Sequence, residues 1–351
     1  MLIDDLDTPV PVIDLDRVEH NLARMQAYCD RHGLKLRPHI KTHKLPRLAW
    51  RAVELGAAGI TCQKLGEAEV MADAGIDDIL ISYPLIGPAK AERLAALARR
   101  ARVRVAVDSA LALETVVNAS AASERPIGVL VEFDGGNRRT GVTTPEAVLP
   151  LARAALAAGL PFLGLMTYPS SEQTSGFISA ACALLAGAGI EVETVSGGGT
   201  PNAWRAHEVA GLTEVRVGTY IYQDRATVGA GAAVLDECAL HVHATVVSRP
   251  TEDRAIIDAG SKSLSSDLVP PATGMGYGLL LDHPEAVIER LNEEHGMIDL
   301  SRCARKPALG ERVRILPNHV CAVTNLHDEV VASRGGEVIG TWPISARGKT
   351  R

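Results

Sequence analysis

Aromatic side chains are scarce in this sequence. Phe, Trp and Tyr make up 3% of its 351 residues, too few for a platform on which nucleic-acid bases could stack. An excess of positive charge is also missing. Lys and Arg number 36 against 42 Asp and Glu, a net charge of −6, and the basic residues are dispersed, so a phosphate backbone finds no basic face. There are only six cysteines, Cys29, Cys62, Cys182, Cys238, Cys303 and Cys321. They form no Cys-x-x-Cys pair and no dense framework, and read as reduced thiols packed like small apolar residues, Cys321 excepted. No apolar run reaches the ~18 residues that cross a bilayer. The opening stretch MLIDDLDTPV lacks the charged and apolar regions of a signal peptide. These absences lead to the expectation of a soluble, cytoplasmic protein with no nucleic-acid and no membrane partner.

What the sequence does have is material for a large core. Hydrophobic residues are 46% of the chain and charged residues 22%, ordinary for a globular protein. An α/β barrel uses about 250 residues, which leaves room for a further domain of about 100. From residue 34 short β-rich runs alternate with Ala- and Leu-rich runs of helical spacing. The expected strands are Leu34–Lys41, Gly59–Gln63, Asp78–Tyr83, Val103–Asp108, Ile127–Asp134, Phe162–Tyr168, Glu193–Ser196 and Glu214–Tyr220. Eight βα units favour a closed (β/α)8 barrel over an open doubly wound sheet. A helix is expected ahead of them at Leu15–His32, with Val18, Leu22, Met25 and Cys29 on one face. Thr144-Pro145-Glu146 reads as an N-cap followed by proline in the first turn. Beyond about residue 235 strands follow one another without helices, at Leu240–Ser248, Arg254–Asp258, Arg312–Ile315 and Glu337–Trp342. The expected organisation is a barrel over residues 12–235, with residues 1–11 and 236–351 forming a mostly β domain. The extended piece Val10–Asp14 is available to that domain as one more strand.

Barrels of this kind build their sites at the carboxyl ends of the strands. The first strand ends in Arg37-Pro38-His39-Ile40-Lys41-Thr42-His43-Lys44. Apolar surroundings and the positive groups Arg37, His39, His43 and Lys44 are expected to disfavour the charged form of Lys41, as a Schiff-base lysine requires. A surface lysine on a loop would read the same way. Lys44 competes for the role but falls where a helix should start. After the seventh strand, Ser196-Gly197-Gly198-Gly199-Thr200 offers backbone N–H groups without side chains in the way. Such a loop before a helix seats phosphate, although a glycine run alone is more often a plain turn. His319 and Cys321, two apart on an expected strand, face one side. Imidazole plus thiolate suits zinc, yet an isolated His-x-Cys is more often a core thiol beside a solvent-facing histidine. Asp258 and His295 could line a site or cap turns.

Together these segments resemble the D-threonine aldolase and D-serine dehydratase family, whose members share the alanine-racemase type of barrel. The resemblance runs through Asp7-Thr8-Pro9, the stretch Arg37–Lys44, Cys62-Gln63-Lys64, Asn137-Arg138-Arg139-Thr140-Gly141-Val142 and Ser196–Thr200. It continues through Asp258-Ala259-Gly260, Glu294-His295-Gly296, Asn318-His319-Val320-Cys321, Asn325-Leu326-His327-Asp328 and Ile344-Ser345-Ala346-Arg347-Gly348. It implies that Lys41 carries pyridoxal 5'-phosphate (PLP) and that Ser196, Gly198, Gly199 and Thr200 hold the cofactor's phosphate end. It places Arg139 by the pyridine ring, and Gln63, Tyr168 and Tyr222 around the cofactor. It makes His319 and Cys321 ligands of a divalent ion (zinc, manganese or magnesium) that grips the substrate's β-hydroxyl, and it implies a homodimer. The implied reaction cleaves a β-hydroxy-D-amino acid, as in D-threonine to glycine and acetaldehyde. Elimination to a 2-oxo acid and ammonia from D-serine or 3-hydroxy-D-aspartate is the alternative, and a PLP carrier without catalysis is a third reading. Two departures bear on the choice. Aldolases of the family have a histidine base where this chain has Thr174, which leaves Glu172 or a metal-bound water to act. Many have aspartate where this chain has Cys321, and His-x-Cys is the more typical dehydratase pair.

Overall fold

The structure, a computed structural model, describes residues 1–351. Eight parallel strands alternate with helices over the region expected to form the barrel. They are Lys35–Leu36, Ile60–Cys62, Asp78–Ile81, Arg102–Val107, Gly128–Asp134, Phe162–Tyr168, Thr194–Gly198 and Glu214–Arg216. Each pairs in parallel with its neighbours in chain order, and Lys35–Leu36 pairs with Glu214–Arg216. The remaining edge is closed by Ala58 N–H to the Leu36 carbonyl, Thr61 N–H to the Pro38 carbonyl and Ile40 N–H to the Thr61 carbonyl. The sheet is thus a closed (β/α)8 barrel. Its central strands are buried along almost their whole length, as sheets covered on both faces must be. Leu80, Ala106, Leu130 and Met166, from four successive strands, pack as one buried cluster. Burying each larger member contributes about 1.5–3 kcal/mol.

The first strand is shorter than its sequence suggests. Only Lys35–Leu36 is regular, with an isolated bridge from His39 to Thr61. Pro38 has no N–H to give to a ladder, and Lys41 comes to lie in the turn that follows. Lys44 does not start the helix. It is buried with φ 56°, its ammonium donates to the Ala346 carbonyl at 3.4 Å, and the helix begins at Pro46. The leading helix runs Leu15–Arg31 and buries Val18, Leu22, Met25 and Cys29. Thr144 makes no side-chain cap, and Pro145–Ala147 is a 3-10 turn ahead of the helix Val148–Ala157.

Arg37 ties the barrel strands together from within. Its Nε donates to Glu214 Oε2 at 2.7 Å and its Nη1 to Asp78 Oδ1 at 2.6 Å. Burial works against the charge of this side chain, but Glu214 and Asp78 hold the guanidinium above its ordinary value. Glu214 also accepts from the Ser196 hydroxyl at 2.6 Å.

The β-rich part forms a second compact unit, comprising Met1–Ala23, Thr42–Leu45 and Thr219–Gly348. Its sheet includes Val10–Asp14, which runs antiparallel to Leu240–Thr251 and parallel to Glu329–Arg334. Arg254–Ile257, Gly296–Asp299 and Val287–Leu291 extend it on one side and Glu337–Pro343 on the other. Asp258 is a tie within this unit. It accepts from the Thr245 N–H at 2.8 Å and from the Thr8 hydroxyl. His295 lies in the exposed turn ahead of Gly296–Asp299, its carbonyl bonded to the Asn292 N–H. None of the six cysteines forms a disulfide, and no helix is long and apolar enough to cross a membrane.

Candidate active site

In the barrel unit, Lys41 is half-buried and held by its main chain. Its N–H approaches His39 Nδ1 at 3.3 Å, His39 Nε2 meets Gln63 Oε1 at 3.1 Å, and Gln63 Nε2 donates to the Ser82 carbonyl at 3.2 Å. The ends of three neighbouring strand segments therefore fix the turn that carries the lysine. The amide of Gln63 is committed to this relay. Of the positive neighbours expected beside Lys41, Arg37 is engaged by Glu214 and Asp78. His43 belongs to the β unit, where burial depresses its imidazole to about 3 and Nδ1 accepts from the Leu45 N–H. It is neutral at physiological pH.

Tyr168 ends the strand Phe162–Tyr168 and gathers the rest of this site. Lys41 Nζ lies 5.7 Å from its ring centroid and the Arg139 guanidinium carbon 4.8 Å from it. The glycine loop passes the same ring. A β-carbon built on Gly199 would come within 3.8 Å of Tyr168 Cε2. Gly199 has φ +127°, a conformation that favours glycine. A β-carbon on Gly198 would stand 2.2 Å from the Arg216 carbonyl oxygen, so the backbone can come this close only without a side chain. Thr200 opens the 3-10 helix Thr200–Glu208, whose first N–H groups lack helical partners. Ser196 is placed differently, since its hydroxyl is engaged by Glu214.

The carboxylate and hydroxyl near Tyr168 are less well positioned for chemistry. The Glu172 side chain is 77% exposed, with Arg205 4.0 Å away. Thr174 is buried, and its hydroxyl donates to the Ser171 carbonyl at 2.6 Å.

Two buried groups in the barrel escape motif reading. Arg216 is 5% exposed, and its Nη2 donates to the Thr167 carbonyl at 2.6 Å while Nε has no partner. Burial pushes this guanidinium down to about 10, against the pull of Glu214 and Glu132. Glu132 accepts from the Thr140 hydroxyl at 2.8 Å through Oε1, and Oε2 has no partner. Burial raises its carboxyl above the ordinary range. The available signal was position, because both side chains belong to barrel strands near their carboxyl ends.

In the β unit, His319 and Cys321 do not lie on a strand. His319 caps the helix Val320–Leu326 with extended backbone, φ −145° and ψ 100°, and Cys321 sits in its first turn. The two side chains nevertheless meet. The hydrogen bond with Cys321 is the largest cause that lifts the His319 imidazole to about 9, with Asp267 adding to it. The Thr42 hydroxyl stands 3.1 Å from Cys321 Sγ, and that of Thr219 3.8 Å. Thr42 follows Lys41 in the chain. No set of three or more His, Cys, Asp or Glu side chains is grouped to hold an ion, so His319 and Cys321 offer two protein donors and leave the other positions open. Tyr222 in the same unit is completely buried, its hydroxyl has no partner, and burial raises its pKa.

Comparison with known proteins sets these features in a family. The profile described as alanine racemase, N-terminal domain, matches residues 13–226. A serine dehydratase domain profile matches residues 239–333. A D-threonine aldolase of Arthrobacter sp is 40% identical over 364 residues, covering 99% of this chain and 94% of its own length. The crystal structure of D-threonine aldolase from Filomicrobium marinum superposes with a TM-score of 0.91 at 34% identity, covering 100% of this chain and 99% of that one. A cysteine-to-alanine mutant of D-threo-3-hydroxyaspartate dehydratase in its metal-free form superposes with a TM-score of 0.87 at 31% identity, covering 98% of each chain.

Proposed function

This chain belongs to the D-threonine aldolase and D-serine dehydratase family, whose N-terminal barrel is of the alanine racemase type, and from that premise we propose that it is a PLP- and metal-dependent lyase of β-hydroxy-D-amino acids, with D-threonine aldolase activity as the first reading. One observation carries the proposal. The Tyr168 ring has an amine, a guanidinium and a side-chain-free backbone loop around it. A phosphorylated aromatic aldehyde calls for these groups: an amine for the aldehyde, a cradle for the phosphate, and an aromatic face with a cation for the ring. Arg216 adds a buried donor that has no protein acceptor. The residues present fit PLP.

PLP bound there supplies a sink for the electron pair left on Cα when a substituent departs. A divalent ion on His319 and Cys321 supplies a Lewis acid toward the β-oxygen. The chain's own residues do the rest. Lys41 holds the cofactor through its amine, the loop Gly198–Thr200 seats the phosphate, and Arg139 and Tyr168 orient the ring. The Thr42 hydroxyl, 3.1 Å from Cys321 Sγ, is placed to donate to the sulfur when it ligates the ion. Thr174 is spent on the Ser171 carbonyl and cannot take the proton of the substrate hydroxyl. Glu172 is the remaining protein candidate, acting from an exposed position.

Elimination is the second reading, favoured by the His-x-Cys pair together with Thr174. In that case Lys41 takes the α-proton and the β-hydroxyl leaves. Thiols that form no disulfide accord with a reducing, cytoplasmic setting, and a homodimer is the assembly proposed with it. Incubation of the protein with D-threonine, PLP and a divalent metal separates the readings. Glycine and acetaldehyde in equal amounts support the aldolase. A 2-oxo acid and ammonia replace it with the dehydratase. No turnover of any β-hydroxy-D-amino acid removes both and leaves a carrier.

A further inference from the structure

Within the β unit, His319 Nδ1 lies 2.7 Å from Asp267 Oδ2. A carboxylate oxygen accepts, so Nδ1 carries a proton toward Asp267 and Nε2 is the ring nitrogen open to an ion, which would displace any proton there. Asp267 sits on the segment between the short helix Ser261–Leu264 and the strand Leu279–Leu280. That segment is also held through its main chain, independently of the Asp267 carboxylate. Asn318, the neighbour of His319, donates through Nδ2 to the carbonyls of Asp267 and Gly276, at 2.9 Å each. Arg225 Nη1 donates to the carbonyls of Met275 and Gly278 at 2.8 and 2.9 Å, and to Asn318 Oδ1 at 3.3 Å. The residue beside the histidine thus grips the main chain of the residue whose carboxylate grips the histidine ring.

From this geometry, and resting on the metal reading above, we propose that Asp267 is a positioning residue for the metal site: it fixes the Nδ1–H tautomer of His319 and aims Nε2 at an ion shared with Cys321. A carboxylate behind a ligating histidine sets ring orientation and raises the basicity of the ligand nitrogen, and its loss costs about 10- to 100-fold in metal affinity. The carboxylate is not counted as a third donor, because the oxygen nearest the ring is already committed to it.

Cobalt(II) titration of the metal-free protein tests this without recourse to activity, since cobalt on a thiolate shows a sulfur-to-metal absorption band. The wild-type chain is expected to develop that band, and Cys321→Ser to lack it. Asp267→Asn is expected to reach the same band at saturation with a dissociation constant about 10- to 100-fold higher, and Asp267→Glu to recover part of the loss. Far-ultraviolet circular dichroism and melting temperature check that the variants fold, which the main-chain clamp by Asn318 and Arg225 predicts. Wild-type affinity in Asp267→Asn overturns the proposal while leaving the metal pair intact. A changed saturated spectrum in Asp267→Asn overturns it in favour of direct ligation by Asp267. Absence of the band in the wild-type chain overturns the metal reading and the proposal with it.

Discussion

Replacing Arg37 by methionine is expected to cost stability out of proportion to the single side chain removed. Arg37 is 1% exposed and bridges Glu214 and Asp78 at 2.7 and 2.6 Å. The two carboxylates do not suffer equally. Asp78 keeps Arg104 at 3.3 Å and Arg102 at 3.4 Å. Glu214, itself 1% exposed, keeps the Ser196 hydroxyl and the through-space attraction of Arg216, but no hydrogen-bonded cation. The variant therefore leaves one buried carboxylate without a hydrogen-bonded cation. Removing one partner of such a pair costs about 3–5 kcal/mol. At about 2–4 °C per kcal/mol for a domain of this size, the melting temperature should fall by roughly 10 °C.

A second substitution isolates the cause. Glu214→Gln removes that charge and retains an acceptor for Ser196. The double variant Arg37→Met/Glu214→Gln should melt above Arg37→Met alone, with a coupling of about 1–3 kcal/mol. The assay is thermal unfolding of the two single variants, the double variant and wild type, followed by circular dichroism. An Arg37→Met protein melting within about 2 °C of wild type, or strictly additive losses in the double variant, would refute the view that the bridge is held by charge compensation rather than by packing of the arginine stem.

Further outcomes are expected at the site and in the β unit. Borohydride reduction of the PLP-loaded protein should fix the label on Lys41 in peptide maps, and a label on Lys44 or Lys64 would move the cofactor elsewhere. Gly198→Ala forces a β-carbon to within 2.2 Å of the Arg216 carbonyl and should weaken PLP binding at least about tenfold, measured by fluorescence titration. Gly176→Ala, whose β-carbon meets nothing within 4 Å, should bind PLP as wild type does. Acid should destabilise the β unit through neutral buried histidines: burial depresses His43 and His241 to about 3 and His243 to about 4. The unfolded chain takes up these protons near pH 6.5 and the folded chain does not, so stability is full above that pH and falls toward the depressed values, by about 1.4 kcal/mol per pH unit for each group. His241→Leu, which also removes a buried Nε2 without a partner, should flatten the fall in urea midpoint between pH 6.5 and 4.5, and an unchanged slope would show that other groups govern it.

The barrel was legible because its signal is repeated. Eight βα units each carry an apolar run of strand length, and their burial on both faces erases the polar alternation that could have been mistaken for a sandwich. Local chemistry was harder to place where one residue overrides a pattern. Pro38 interrupts the regular ladder, which ends at Leu36, five residues before the expected end of the strand, and Lys41 lies in a turn instead. Lys44 looked like a helix start, but its left-handed backbone and its bond to Ala346, 302 residues away, depend on contacts no local pattern records.

His319 and Cys321 show most clearly what spacing conveys. Residues two apart share a face on a strand, whereas on a helix they diverge by about 200°. His319 and Cys321 satisfy neither rule, since the backbone changes from extended at His319 to helical at Val320. The change of conformation between them lets an i, i+2 pair converge from a helix start. Their spacing was therefore informative for a reason other than the strand geometry first assigned to it. Asp267 had no sequence signal at all, standing 52 residues from its histidine, and Arg216 and Glu132 looked like ordinary strand charges. These residues stand among the groups the motifs had already marked. A motif can name the amine and the ligands, but the tautomer, the spare donor and the stranded carboxylate depend on what the closed sheet and the β unit place around them. If Asp267→Asn leaves cobalt affinity unchanged, that division fails at its most specific point, and the His-x-Cys segment alone would suffice to define the site.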